Sequence, residues 1–450
     1  MTDQNCPPGN PSPTIVFGAL GAILGYIGAE SGTTACFERQ LWPQRSYSSF
    51  NLSSALGVAL FTPMGGPLFK MACHTLDGIF QNGLFFGSHE GHMLGTVFFP
   101  QRHWIYTIFR SGKDGRLDAA SEPARNCLWA QALSHMPMPP ISSLFPPQPS
   151  KHIEGGQQEK PKIRAEVAVH HLRVSLATPE DKSSSLPLVA EDSTTLKLPT
   201  LLAIVTSELT SLLTAIYVLA YFGSSWAFLW MAPLVIRLIS AAFALYRDPL
   251  IDPRLRSDAD NAEACFKVHT DQPNGHFMLF TGPRLLVQQF FEHYGHPRRH
   301  RVREMVQVTT LIFFYVSFPL QLLASLVWMP LQVQYVWLCY QMYAVVATHI
   351  TRYSRVGLVD TAHGIAKAFT EPEHQQDSPY SHRACTILFG SDRQSPSTLV
   401  VSLAVTYHSR YMEGKKAMES LLKDFSTLSA QEAESSRVER QDTEVCKSTS

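Results

Sequence analysis

From residue 199 onward the chain alternates long apolar blocks with polar stretches. Leu201–Phe222 is apolar with one charge, Glu208, and Trp226–Tyr246 is apolar with one charge, Arg237. Gly223-Ser224-Ser225 between them carries turn chemistry. Crossing a bilayer takes roughly 20 mostly apolar residues, so the pattern predicts a transmembrane hairpin over 199–246. A second hairpin is predicted over 307–351. Its halves, Val308–Met329 and Leu331–Thr351, meet at Pro330, and no Asp, Glu, Lys or Arg lies between Val306 and Thr351.

The N-terminal third is patterned more weakly. Residues 1–13 are polar and Pro-rich and are expected to be disordered. Residues 14–100 form a membrane region with two short apolar blocks, 14–35 and 52–73. In the first, Gly18, Gly21, Gly25 and Gly28 recur at helical spacing on one face. Small residues let membrane helices approach closely, so these four predict a packing face. The second block is interrupted by Pro63-Met64-Gly65-Gly66-Pro67 and predicts either a kinked span or a re-entrant pair, since broken helices persist where protein surrounds the break. Asp77–Pro100 is aromatic and Gly-rich and is not counted as a span.

Between these regions, 101–198 is polar and rich in Pro and Ser and predicts a flexible linker, apart from one amphipathic element over 163–176. The loop 247–306 looks folded. Cys265–Thr270 alternates as a strand, Asp271–Gly275 carries turn chemistry, His276–Thr281 returns, and Gly282-Pro283 opens a helix. In the tail, 352–428, Arg383–Phe389 and Leu399–Tyr407 read as strands and Glu413–Leu428 as an amphipathic helix. Loop and tail are expected to join into one α+β domain, leaving 429–450 polar and disordered. The expected fold is thus an α-helical polytopic membrane protein with five or six transmembrane helices and a small cytosolic α+β domain.

Charge sets the sidedness. Nine Lys and Arg lie in 247–306 and none in the turns at 223–225 and 330–331, so the positive-inside tendency places the loop and the C-terminus in the cytosol. Six spans put the N-terminus inside and five put it outside. The chain is expected in the plasma membrane or an endomembrane as a multi-pass protein. The sequon Asn51-Leu52-Ser53 abuts the membrane, which argues against glycosylation. The formal charge is balanced at 37 basic and 37 acidic residues, so bulk charge gives no case for nucleic acid. Eight scattered cysteines form no CxxC pair, and neither a disulfide framework nor a metal is expected.

The candidate chemistry lies inside the bilayer. Glu208 and Arg237 are the lone charges of their spans, 16 residues before and 13 after Ser224. At about 1.5 Å per residue their depths differ by roughly 4–5 Å, so the side chains are expected to meet. Two roles fit the pair: a polar site on a solute or proton path, or a structural clasp for the hairpin. Gln321, Gln341 and His349 add polar groups that would line a cavity or make interhelical hydrogen bonds. Arg298, Arg299, Arg301 and Arg303 form a basic run before a span, suited to lipid head groups. His89 and His92, like His293, His296 and His300, lack the spacings of membrane di-iron oxygenases, and no cofactor is implied. The sequence has no P-loop and no GxSxG elbow.

The stretch from Asn274-Gly275-His276-Phe277 through Thr281-Gly282-Pro283 to His293-Tyr294-Gly295-His296-Pro297 resembles a segment of multi-pass membrane proteins of filamentous fungi. The resemblance covers the half from residue 200 onward. It implies a fungal membrane protein tied to a secondary-metabolite pathway, and it carries over no catalytic residue. Two function classes follow. The first is a non-enzymatic transporter, exporter or scaffold centred on Glu208 and Arg237. The second is a membrane enzyme acting on a lipophilic substrate, with His89, Glu90 and His92 near the interface. The expected partners are the lipid bilayer and a small-molecule or lipophilic ligand; substrate and oligomeric state stay open.

Overall fold

A computed structural model describes residues 13–81, 104–111, 117–124, 128–134, 136, 167–177, 188–192, 196–246, 250, 263–270, 276–292, 294, 300–354, 356–370, 383–391 and 394–427. The chain is mostly helical with one sheet, and it divides into two compact units. One comprises 1–98, 192–247 and 297–361, and the other 99–191, 248–296 and 362–450.

Among the described residues the first unit is built of helices. Its elements are α1 (Pro13–Ser31), α2 (Thr34–Leu41), α3 (Pro43–Ser46), α4 (Ala55–Phe61), α5 (Phe69–Gln81), α6 (Leu198–Ser207), α7 (Leu209–Phe222), α8 (Phe228–Ala242), α9 (Arg301–Val327) and α10 (Leu331–Ser354). Two stretches are long and apolar enough to cross a membrane, Ser225–Ala242 and Arg301–Val327. A third is added if α6 and α7, bent by 55° at Glu208, count as one span. The bend has a local cause. Ser207 Oγ donates back to Ile204 O at 2.6 Å, a pairing that loosens the helical ladder, and Glu208 breaks the helix there. Gly223 ends α7 in the left-handed conformation, φ 59°, which glycine adopts without a Cβ penalty.

The transverse pattern of these helices is inverted relative to a soluble protein. On α10 the exposed residues from Tyr335 to Ile350 are Tyr335, Cys339, Met342, Val346 and Ile350, while Gln334, Tyr340, Gln341 and Thr348 are buried. The polar residues in the middle of α10, Gln334, Tyr340, Gln341 and Thr348, therefore point inward. On α7, Leu213, Ile216 and Leu219 face out while Ser211, Ala215 and Val218 face in. On α1 the glycine face is the inner one. A Cβ at Gly21 would lie 2.4 Å from Leu322 and one at Gly25 2.6 Å from Phe318, both on α9, and one at Gly28 2.1 Å from Pro67. A Cβ at Gly18 would only touch Leu326, at 3.4 Å.

The block 52–73 is not one helix. Alpha-helical geometry gives α4, with its seven residues, a length of roughly 10 Å, too short to cross the roughly 30 Å hydrocarbon core. Its contacts show a fold-back. Gly57 packs on Gly357 just beyond α10, Tyr343 OH donates to Leu60 O at 2.7 Å, and Gln341 Nε2 donates to Gly65 O at 3.1 Å. The chain then returns: Gly66 lies on Ala344, Gly32 on Met71, and Lys70 pairs with Glu30, whose carbonyl accepts from Arg352. Both arms thus begin and end beside the C-terminal end of α10, with the tip at Met64–Gly65. Of the two alternatives open in the sequence, the contacts give a chain that folds back on itself rather than one kinked helix.

The second unit is built on an eight-stranded sheet ordered β2-β1-β5-β6-β3-β8-β7-β4. The strands are β1 (Trp104–Ser111), β2 (Leu117–Pro123), β3 (Val167–Leu176), β4 (Leu188–Asp192), β5 (Glu263–Thr270), β6 (Phe277–Pro283), β7 (Arg383–Ser391) and β8 (Gln394–His408). Loop strands β5 and β6 and tail strands β7 and β8 share this sheet, joined through β3, which runs parallel to β6 and antiparallel to β8. The expectation of a linker over 101–198 is corrected here, because four of the eight strands come from it. Its strands are short, and β3 holds His170, His171, Arg173 and Ser175 among its Val, Ala and Leu residues, so the polar run around it masks the alternation.

One sheet face buries Tyr106, Phe266, Phe280, Leu172 and Leu403 against helices 128–134, 284–291 and 362–370, through Trp129, Phe290, Phe291, Ile365 and Phe369. The other face packs Val167, Val169 and Phe277 on Met418 of helix 411–427. Gly282 (φ 154°) permits the closest approach in the sheet, since a Cβ there would meet Val174 O at 2.3 Å.

Candidate functional site

The buried polar core of the helical unit forms where two chain breaks meet an unbroken helix. These are the re-entrant tip at Met64–Gly65, the α6–α7 break at Glu208, and the middle of α10. Glu208 is fully buried and Arg237 on α8 is 3% exposed. Arg237 Nη1 donates to Glu208 Oε1 at 2.7 Å and to Ser207 Oγ at 2.5 Å, and Nη2 donates to Tyr47 OH at 2.5 Å. The Met64 amide donates to the same Glu208 oxygen at 3.0 Å. The charge is thereby neutralised and hydrogen-bonded, which burial of an ion pair requires.

Neutralisation leaves part of the core unspent. Glu208 Oε2 and Gln341 Oε1 are buried without a hydrogen-bond partner, while the Tyr340 hydroxyl lies beside those of Thr210 and Ser211. Tyr340 and Gln341 line a cavity of about 10 Å³ together with Gly65, Ser211, Trp230 and Gln321. That volume holds about one water, and a water needs two to four polar partners of this kind. Gly65 makes the approach possible, since a Cβ there would lie 2.8 Å from Tyr340 OH. One turn or so from Arg237 a second polar layer is closed: Ser240 Oγ donates to Gln307 Oε1 at 2.8 Å, and Gln307 Nε2 donates to Ser240 O and Phe243 O at 3.0 Å each.

The sequence-predicted residues separate clearly. Glu208 and Arg237 meet, and Gln341 joins them through Gly65. Gln321 reaches the cavity wall and accepts from Trp337 Nε1 at 3.3 Å. His349 does not join; its ring stacks on Tyr353 at an interplanar angle of 10°, two turns beyond Gln341. Arg303, at the start of α9, is tied within the chain: it donates to Ala244 O and, at 2.8 Å, to Tyr246 OH, and lies 3.9 Å from the Tyr246 ring centre. Arg301 is exposed, while Arg298 and Arg299 lie outside the described residues. Asn51 is exposed, with its Oδ1 accepting from Ser53 Oγ at 2.5 Å and Ser54 N at 2.9 Å. His89, Glu90, His92, His293 and His296, on which the enzymatic alternative leaned, lie outside the described residues.

Sequence reasoning missed Tyr47, Met64 and Gly65 as parts of the site. Tyr47 sits in a polar link and gives no signal. The Pro63–Pro67 break was a signal for backbone donors at depth, because a broken helix frees amides that a buried acceptor can use.

In comparisons with known proteins, no family profile matches the chain, and neither curated proteins nor solved structures give a match.

Proposed function

We propose that the protein is a multi-pass membrane protein that moves a solute or protons through its helix bundle along the Glu208–Arg237 core. One observation carries the reading. A buried carboxylate bridges an arginine and the tip of a re-entrant loop, its second oxygen is left without a hydrogen-bond partner, and Tyr340 and Gln341 of the same core line a water-sized cavity. Broken helices that present backbone groups to a polar site at depth are how membrane carriers hold their cargo. A clasp alone would leave no reason for the unpaired second oxygen of Glu208 and carbonyl of Gln341.

The reading takes five crossings: the bent α6–α7 pair, α8 and α9, which are long and apolar enough, together with α1 and α10. The sheet draws strands from 104–192, 263–283 and 383–408, and one hydrogen-bonded sheet lies on one side of a membrane. Each intervening segment, 196–246 and 300–354, then crosses an even number of times, twice. The outward apolar stripes on α1, α7 and α10 suit lipid contact. The nine basic residues of 247–306 put the sheet and the C-terminus in the cytosol. With α4 and α5 folding back, the N-terminus is outside. The resemblance to fungal multi-pass proteins favours a cargo from a secondary-metabolite pathway.

The test is flux. Full-length protein in phosphatidylcholine vesicles is loaded with an interior pH dye, and an outward pH step is applied. Wild type should acidify or alkalinise the lumen faster than empty vesicles, and Glu208→Gln should fall to the empty-vesicle rate. A Glu208→Gln variant with full flux would end the proposal.

A further inference from the structure

At the end of the bundle where α10 finishes, Arg39 of α2 is nine-tenths buried, and its guanidinium has no hydrogen-bond or ion-pair partner among the described residues. It lines a cavity of about 190 Å³ shared with Ser31, Thr33, Thr62, Thr351 and Arg352. A guanidinium stays protonated at any accessible pH, and the unpaired Arg39 nitrogens open to this cavity rather than being sealed in the interior. Its neighbours leave it uncompensated. Arg45 is within 3.8 Å of Glu38, Lys70 pairs with Glu30, and Arg352 donates to the Glu30 carbonyl. The remaining charge in the cavity wall is therefore positive.

We propose that this cavity binds a phosphate-type oxyanion, with Arg39 as its principal ligand. The planar fork of Arg39 matches two oxygens of such a group. The Thr33 hydroxyl is free to add a donor, since its recorded contact is a long one, 3.7 Å to Cys36 Sγ. The volume is below the roughly 300–1,000 Å³ of sites for drug-sized ligands, so a head group fits and a nucleotide does not. Phe61, Pro63, Met64 and Leu358 complete the wall and suit the carbon attached to a phosphate ester. Free phosphate or a monoester, and the head group of a phospholipid, share this chemistry. The proposal stands whether or not the core carries a cargo, because it concerns binding alone.

The experiment uses full-length protein in maltoside micelles, with melting temperature followed against inorganic phosphate at constant ionic strength in chloride. A parallel arm uses phosphatidylcholine vesicles with and without phosphatidic acid. Wild type should show a saturable rise in melting temperature with phosphate or with phosphatidic acid. A response to phosphate identifies the free anion as a ligand, and a response to phosphatidic acid alone identifies the lipid head group. Arg39→Gln should lose the response and, with an unpaired charge removed, melt no lower than unliganded wild type. Arg39→Lys should keep a weakened response. The proposal is overturned if neither probe acts, if Arg39→Gln responds like wild type, or if Arg39→Gln does not fold, which would show that Arg39 holds the protein through a partner within the chain.

Discussion

The Met64 amide and the Glu208 carboxylate are joined at 3.0 Å, through the oxygen that also accepts from Arg237. The ion pair and the re-entrant tip are therefore one unit, and losing a member strands the others. Arg237→Met leaves a buried carboxylate, Ser207 and Tyr47 without their donor. Breaking a buried pair costs about 3–5 kcal/mol, so this variant should be strongly destabilised. Glu208→Leu with Arg237→Met should recover part of that loss, because no charge is left uncompensated. A double-mutant cycle by denaturant unfolding in micelles should give a coupling above about 1 kcal/mol. Additive single effects would show that the two side chains are energetically separate.

Gly65 faces Tyr340 with no room for a methyl group: a Cβ would sit 2.8 Å from the hydroxyl and 3.0 Å from Cε1. Gly65→Ala should push the tip off α10 and break the Gln341–Gly65 bond. Overpacking costs typically about 1–3 kcal/mol. Tyr340→Phe removes the nearest atom but not Cε1, so the double variant should recover only part of the loss. The comparison is made by melting temperature of all four proteins. Wild-type stability in Gly65→Ala would mean that the loop is not seated as described.

The apolar pattern made the two strong hairpins legible, and the depths of Glu208 and Arg237 made their meeting legible, because helical rise is a fixed length. The glycine face of α1 was legible for the same reason, since spacing alone assigns it to one side. The partners of the ion pair were less so. Tyr47 and the Met64 amide are brought in by tertiary folding, and a backbone donor carries no residue signature. The sheet was half legible: β5 to β8 stand beside clear turn signals or apolar runs, whereas β1 to β4 are embedded in long polar, Pro- and Ser-rich sequence. The stacking of His349 on Tyr353 and the bonds of Arg303 to Ala244 O and Tyr246 OH depend on helical phase, which a list of polar residues does not contain.

His170 lies on the core face of β3, fully buried, and burial lowers its pKa from 6.5 to about 3, with His276 nearby adding to the effect. The unfolded chain binds a proton at this residue below about pH 6.5, while the folded chain does not until about pH 3. The stability is thus fully present above the unfolded pKa and declines as pH falls through this window, by at most about 1.4 kcal/mol per pH unit. His269 and His276 are shifted the same way by burial, so they add to the slope. His170→Leu should flatten the dependence of unfolding free energy on pH between 6.5 and 4 without abolishing it. An unchanged slope would show that His170 takes up its proton while folded.

The fold-back of 52–73 predicts sidedness. Leu52 is 92% exposed before the descending arm, His74 is exposed after the returning arm, and Tyr353 is exposed near the end of α10. Because both arms begin and end beside that end of α10, cysteines at the three positions should label from one side. In a cysteine-free background, a membrane-impermeant maleimide should modify Leu52→Cys, His74→Cys and Tyr353→Cys in inside-out vesicles and none of them in right-side-out vesicles. Asn51 should accordingly carry no glycan. A true crossing would separate Leu52 from His74 and give them opposite labelling, with Leu52 reacting from outside. In that event the Met64 amide could not reach Glu208 from a loop tip, and the carrier reading, which depends on that contact, would fall with the topology.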